Sequence, residues 1–312
     1  MSAADRLLVV IDPVARRIDG ESVRIAKDVL SAAAQAKICW PEGVEEFSRA
    51  LARRGGRRLV VVGDDHALLR TVTLLQREHG LAGPALSVVP VGSASAVEIT
   101  RSLGVPTDAV AAARAVLEGV PRRRGLLVDD GGGVVLGELR IPAPAPAPVR
   151  AAGPTVWGTC RSLVRTLVGA PTPVAAAVAH HLRIETDGTL LTDLDRPLAG
   201  VSVGCGDGVA QVVVEECGGS VVRGRGSVVE VSVGGVSVGG MYGGGSAGGR
   251  GGGSEGVAGG GSGGGVRGGE GFRYRAGPVV VGPVWSRTWT AGSWALMVPA
   301  GGETAGAEAA GG

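Results

Sequence analysis

Two hydrophobic periods alternate along the first 140 residues. Residues 7–12 (LLVVID) form a short continuous apolar run ending at a turn, the pattern of a strand buried on both faces of a parallel sheet. Residues 23–36 carry apolar side chains at helical spacing, and 37–40 predict a second strand. An amphipathic helix over 44–54 (VEEFSRALARR) is closed by Gly55 and Gly56, and 58–63 (RLVVVG) is the clearest buried strand. A helix over 67–79 stops at Gly80. Residues 85–91 (ALSVVPV) predict a strand, and 108–117 a helix with Thr107 as its cap. Repeated strand–helix units predict a parallel sheet with helices on both faces. Ligands of such sheets sit beyond the carboxyl ends of the strands, which directs attention to the loops at 12–20, 63–67 and 92–96.

Residues 126–130 and 134–141 predict two more strands and complete an α/β unit over 1–141. The run PAPAPAP at 142–148 is a stiff extended spacer, and 142–155 is the expected linker. A helical stretch near 160–168 comes next, continued at 175–181. From Leu182 the pattern changes to short strands: LRIET, GTLLTDL, GVSVG, AQVVVEE and SVVEVSV. Turn residues separate them at the spacing of a sandwich or barrel. FRYR, PVVVGPVW and SWALMVP resume that pattern near the end, so a β-rich unit is expected over 156–300. Between them, 218–271 holds 26 of the 57 glycines. Its apolar surface is too small to offset the backbone entropy lost on ordering, so 239–271 is expected to be a flexible loop. Residues 301–312 are an expected tail. The fold class is an α/β parallel-sheet domain followed by a mostly β, sandwich-like domain.

Composition narrows the chemistry. Lys+Arg number 31 against 29 Asp+Glu, so no strongly basic nucleic-acid binder is expected. Cys39, Cys160, Cys205 and Cys217 show neither C-x-x-C spacing nor His at ligand spacing, which argues against a zinc site or a disulfide framework. No uncharged apolar run reaches the ~18 residues that span a bilayer, and the N-terminus lacks a signal-peptide pattern. The expected location is cytoplasmic, with peripheral contact at the inner face of the membrane. A Rossmann dehydrogenase is disfavoured because no G-x-G-x-x-G follows the first strand.

Three stretches in order carry a resemblance: VVIDPVARR at 9–17, VVVGDDHALLRTV at 60–72 and VVPVGSASAVEITRSLGVPTD at 88–108. They resemble the strand–Asn-Pro, G-G-D-G-T and P-L-G-T-G-N-D-F-A-R-x-L-G-I-P segments of the diacylglycerol kinase catalytic family, which is distantly related to NAD kinases. LRIETDGTLLTD at 182–193, GDGVAQVVV at 206–214 and WTAGSWALMVP at 289–299 look more loosely like strands of that family's β-sandwich domain. The resemblance implies transfer of the γ-phosphoryl group of ATP to a lipid hydroxyl such as that of diacylglycerol, with Mg²⁺. Such transfer depends on charge neutralisation and positioning. By the resemblance, Asp12, Gly63, Asp64, Gly92 and Ser93 would line the nucleotide. Asp65 would hold the metal, and Asp65 and Asp207 are the catalytic candidates.

The departures are concentrated in these same motifs. Asp64 stands at the second Gly of G-G-D-G-T, His66 at the third and Ala67 at the Thr. A carboxylate at 64 would repel phosphates by roughly 1–4 kcal/mol at ~4 Å unless a cation bridges. Ala94 replaces a Gly, Ser95 and Ala96 replace Asn-Asp, and Asp12 replaces Asn. The family's late general-base motif has no clear counterpart. Two readings result: a divergent lipid kinase, or a catalytically degenerate member that binds a lipid, nucleotide or protein as a regulator. A homodimer fits either. Blander roles stand beside these: a helix cap for Asp65, helix-end residues for His180 and His181, a β-turn for Asp187-Gly188, a solvated loop for Arg122–Arg124, and packing for Trp285, Trp289 and Trp294.

Overall fold

The computed structural model describes residues 6–143, 179–233 and 271–300. The expected linker beyond residue 143, the helical stretch at 160–178, nearly all of the 239–271 loop and the 301–312 tail lie outside the described residues.

Strands β1 (Arg6–Ile11), β2 (Gln35–Cys39), β3 (Arg58–Gly63) and β4 (Ser87–Pro90) form a parallel sheet in the order β2-β1-β3-β4. Among the described residues, α-helices α1 (Pro13–Ile18), α2 (Gly20–Ala33), α3 (Val44–Ala52), α4 (Asp65–Arg77), α5 (Glu98–Ser102) and α6 (Ala109–Glu118) accompany it. Alternation along β1 explains its continuous apolar run. Leu7, Val9 and Ile11 pack with Val23, Leu30 and Val116 of α2 and α6. Leu8 and Val10 pack on the opposite face with Phe47, Leu51 and Leu68 of α3 and α4.

Some local expectations shift. The loop expected at 12–20 contains α1, because Asp12 caps it and Pro13 supplies the fixed φ that suits a first turn. The cap of α6 is Asp108, whose carboxylate accepts the Ala111 N–H at 2.8 Å, rather than Thr107.

The remaining strands build two six-stranded antiparallel sheets. β5 (Val120–Asp129), β6 (Val134–Leu136), β8 (Arg183–Thr186), β9 (Thr189–Thr192), β13 (Val228–Ser232) and β16 (Ser286–Val298) order as β6-β5-β16-β13-β8-β9. β7 (Glu138–Ile141), β10 (Leu198–Gly206), β11 (Val209–Glu216), β12 (Val221–Gly226), β14 (Phe272–Ala276) and β15 (Val279–Val284) order as β12-β11-β10-β7-β14-β15. Sheet membership therefore changes at Val120, and 120–141 belongs to the antiparallel part rather than the parallel one. The run expected as one strand at 134–141 breaks at Gly137, whose φ of +85° sends β6 and β7 to different sheets. Arg122–Arg124 lie within β5, not in a loop. His180 forms a bridge to Leu198 instead of ending a helix. β12 was hidden by its glycines and arginines (VVRGRG), which an edge strand tolerates.

Leu127, Val203, Val212, Tyr274 and Trp289 fill the space between the two antiparallel sheets. Leu126, Trp294 and Leu296 face the other way and join the core of α3 and α4. Thus β5 and β16 carry alternate residues into two cores. Leu86 donates to the Ala295 carbonyl at 2.9 Å and accepts from Met297 at 2.8 Å, tying the start of β4 to β16. Trp289 and Trp294 are packing residues as expected, whereas Trp285 is 52% exposed. Among the described residues no helix is long and apolar enough to cross a membrane.

Candidate functional site

The chain leaves β1 for β2 on one side and returns to β3 on the other, so the connections diverge between β1 and β3. A crevice at the carboxyl ends of strands around such a switch point is where open α/β sheets bind ligands. Asp12 follows β1, Asp64 follows β3, and Gly92 comes two residues after β4. The structure therefore brings Asp12, Gly63, Asp64, Asp65, Gly92 and Ser93 to one end of the sheet.

The packing there is tight. A Cβ added at Gly63 would lie 2.7 Å from that of Ala67 and 3.0 Å from that of Asp12, so only glycine fits between β1 and α4. Asp12 is 2% exposed. One of its carboxylate oxygens accepts the Val14 N–H at 2.8 Å, capping α1. The other accepts from the Arg70 guanidinium at 2.9 Å. Arg70 comes from the second turn of α4, and its Cζ lies 5.5 Å from the centroid of the Phe47 ring.

Asp64, not Asp65, is the helix cap: its carboxylate accepts the Ala67 N–H at 3.0 Å. Asp65 is the first residue of α4 and is 3% exposed. Its Oδ2 accepts the Ile99 N–H at 2.7 Å. Its Oδ1 accepts the Thr100 N–H at 2.9 Å and the Thr100 hydroxyl at 2.5 Å. Its own N–H donates to the Ala96 carbonyl at 2.9 Å. The short helix α5 has no side-chain cap of its own, so Asp65 satisfies its exposed amide donors from across the loop. This carboxylate is a clamp between the starts of α4 and α5.

The Gly92 turn is more open. Gly92 has φ +151° and, like Ser93 and Ser95, is exposed. The two serine hydroxyls lie 3.1 Å apart. A Cβ on Gly92 would come 3.7 Å from that of Asp64, so a carboxylate borders this turn.

Asp207 lies elsewhere, in the β10–β11 hairpin. Asp207 at φ +53° and Gly208 at φ +78° form the two-residue connection in which both residues need positive φ. Among the described residues no hydrogen bond or ion pair joins the Asp207 side chain to the crevice. Asp187-Gly188 has the same geometry, and the Asp187 carboxylate accepts the Ser227 and Val228 N–H groups.

The fit of the implied cofactors can be judged on these contacts. A Mg²⁺ ion needs carboxylate oxygens open to it. The Asp65 oxygens are buried and already accept three hydrogen bonds, so they do not fit that role in this arrangement. Among the described residues no group of three His, Cys, Asp or Glu side chains could hold a metal. The open glycine turn suits phosphate oxygens, while the neighbouring Asp64 opposes them. Arg70 and Thr100 were not found from the sequence. The available signal was Asp12 itself, since a carboxylate directly after a buried strand requires a counter-ion.

No family model matches the chain, and no curated protein matches it. Solved structures do. A protein provisionally named a diacylglycerol kinase from Bacillus anthracis str. Sterne superposes with a TM-score of 0.62 at 13% identity, covering 94% of this chain and 97% of that one. A structure of a diacylglycerol kinase from the same organism gives 0.55 at 15% identity, covering 73% and 86%. The chain has the diacylglycerol kinase fold. That fold spans both parts of the chain, including the sandwich whose segments resembled the family only loosely in sequence.

Proposed function

We propose that this chain is a catalytically degenerate member of the diacylglycerol kinase fold, which binds a phosphate-bearing ligand, a nucleotide or a phospholipid headgroup, at the switch-point crevice. The observation that carries this reading is the state of Asp65. The acidic residue retained from G-G-D-G-T is sealed under α5 by three hydrogen bonds. Asp207, the second acidic candidate, sits in an exposed hairpin turn. The crevice keeps Gly63, Gly92 and its position at the strand ends, but among the described residues it has no open carboxylate pair for a metal. Binding without transfer suits a regulatory role in lipid metabolism, at the inner membrane face or in the cytoplasm.

A second reading, a divergent lipid kinase using ATP and Mg²⁺, is favoured by one observation. The superposition extends over 94% of the chain, so both parts of a kinase architecture are retained. Release of Asp65 from α5 on nucleotide binding would then be required. The deciding experiment is transfer of labelled γ-phosphate from Mg-ATP to diacylglycerol in mixed micelles. The degenerate reading expects no product above a heat-treated control. Product formation that Asp65→Asn abolishes would establish the kinase instead.

A further inference from the structure

We propose that Arg70 makes the crevice a metal-independent site for a phosphate ester, with Asp12 and Phe47 holding the guanidinium in position. The inference rests on the crevice being a ligand site, as argued above, and adds the group that recognises the ligand. Arg70 reaches from α4 to the end of β1, where its NH1 lies 2.9 Å from Asp12 Oδ2. The Asp12 side chain is 3% exposed, but that of Arg70 is 29% exposed. The pair is therefore buried on the carboxylate side and open on the guanidinium side.

A guanidinium carries five N–H donors in a planar fork. One is directed at Asp12, and among the described residues no other hydrogen-bond partner of Arg70 is found. The Phe47 ring supports the guanidinium. Such a fork matches phosphate oxygens in pairs and needs no bridging cation. Asp64 is the opposing group, a carboxylate near the Gly92 turn. Thus the chemistry that a metal would supply, positive charge facing phosphate oxygens, comes here from a side chain anchored to the strand end.

The test is calorimetric titration of the full chain in EDTA with inorganic phosphate and with ATP, and flotation with vesicles of phosphatidate or of phosphatidylcholine. Binding of phosphate or ATP identifies a soluble ester as ligand. Binding of phosphatidate vesicles alone identifies a lipid headgroup. Arg70→Gln leaves Asp12 without its partner, so the decisive variant is the charge-neutral pair Asp12→Asn with Arg70→Gln. It is expected to weaken binding about tenfold or more, while Asp12→Asn alone, which keeps the guanidinium but loosens its anchor, weakens it less and Asp64→Asn tightens it. Arg70→Lys keeps the charge but loses the fork, and binds more weakly than the parent. Binding by the parent chain that the double variant matches would overturn the role of Arg70 and leave the crevice reading intact. Binding of ATP only with Mg²⁺ would do the same. No binding of any probe, with or without Mg²⁺, would overturn both.

Discussion

Aspartates flank glycines in both halves of the molecule, but they turn opposite ways. At the carboxyl ends of the parallel strands, Asp12 and Asp65 are 2% and 3% exposed and hold other elements through their carboxylates. At the hairpin ends of the antiparallel sheets, Asp187 and Asp207 adopt positive φ in two-residue turns. In sequence, VGDDH and CGDGV look much alike. The element that comes after each one decides the outcome. A strand that leads into a crossover helix must seat that helix on the sheet, which buries the loop and obliges its polar groups to pair. A hairpin needs only the backbone conformation, so its side chain is left to solvent or to a neighbouring loop. Acidity beside glycine is thus a weak guide to a metal site.

The largest expected effect comes from that contrast. Asp65→Ala would strand the Ile99 and Thr100 donors in a buried loop, at a cost of about 3–5 kcal/mol in urea denaturation. Asp207→Asn, which keeps a residue that tolerates the positive φ of the turn, should cost under about 1 kcal/mol, since the Asp207 side chain makes no hydrogen bond among the described residues. Equal costs would break the comparison. Next in size, Arg70→Gln leaves a buried carboxylate without its cation. The expected loss is about 2–3 kcal/mol, below the 3–5 kcal/mol of a fully buried pair because Arg70 is partly exposed. Adding Asp12→Asn should recover most of that loss, and a double variant as unstable as the single one would show that the pair is not coupled.

A smaller effect sharpens the description of the β part. Tyr274 packs edge-on to Trp289 at 5.2 Å, with its hydroxyl 3.4 Å from Asp129 Oδ2. Burial first, and then the Asp129 charge, push its pKa up to about 12. The folded chain therefore keeps a proton that the unfolded chain loses near pH 10. Stability should be intact below pH 10 and fall as pH rises from about 10 to 12, by no more than ~1.4 kcal/mol per pH unit. Tyr274→Phe should flatten that slope. An unchanged slope would assign it to other groups.

The elements themselves were largely legible from local pattern. The β1, β3 and β4 runs are apolar because helices or sheets cover both faces, and the later strands alternate because each sheet faces a core. Gly63 was singled out only as a nucleotide-lining position, and its tight packing against Ala67 and Asp12 appears in the structure alone. The hidden features depend on partners far away in sequence. Arg70 meets Asp12 across 58 positions, and Asp65 meets Thr100 across 35. Neither distance is a period of any element. The break at Gly137 was also hidden, because Val134, Val135, Leu136 and Leu139 read as one apolar strand whichever sheet receives them. Family resemblance singled out the loops at the strand ends, but nothing in it pointed to the pairing of Asp65 with α5 or of Arg70 with Asp12.

The Mg²⁺ dependence of ATP affinity, measured by calorimetry on the full chain in excess Mg²⁺ and again in EDTA, separates a clamp at Asp65 from a metal ligand. With Asp65 acting as a clamp and Arg70 as the anion-binding group, the two affinities should agree within about twofold, a difference of only ~0.4 kcal/mol. ATP binding that appears only with Mg²⁺, and that Asp65→Asn removes while the chain stays folded, would contradict the account and return Asp65 to the metal.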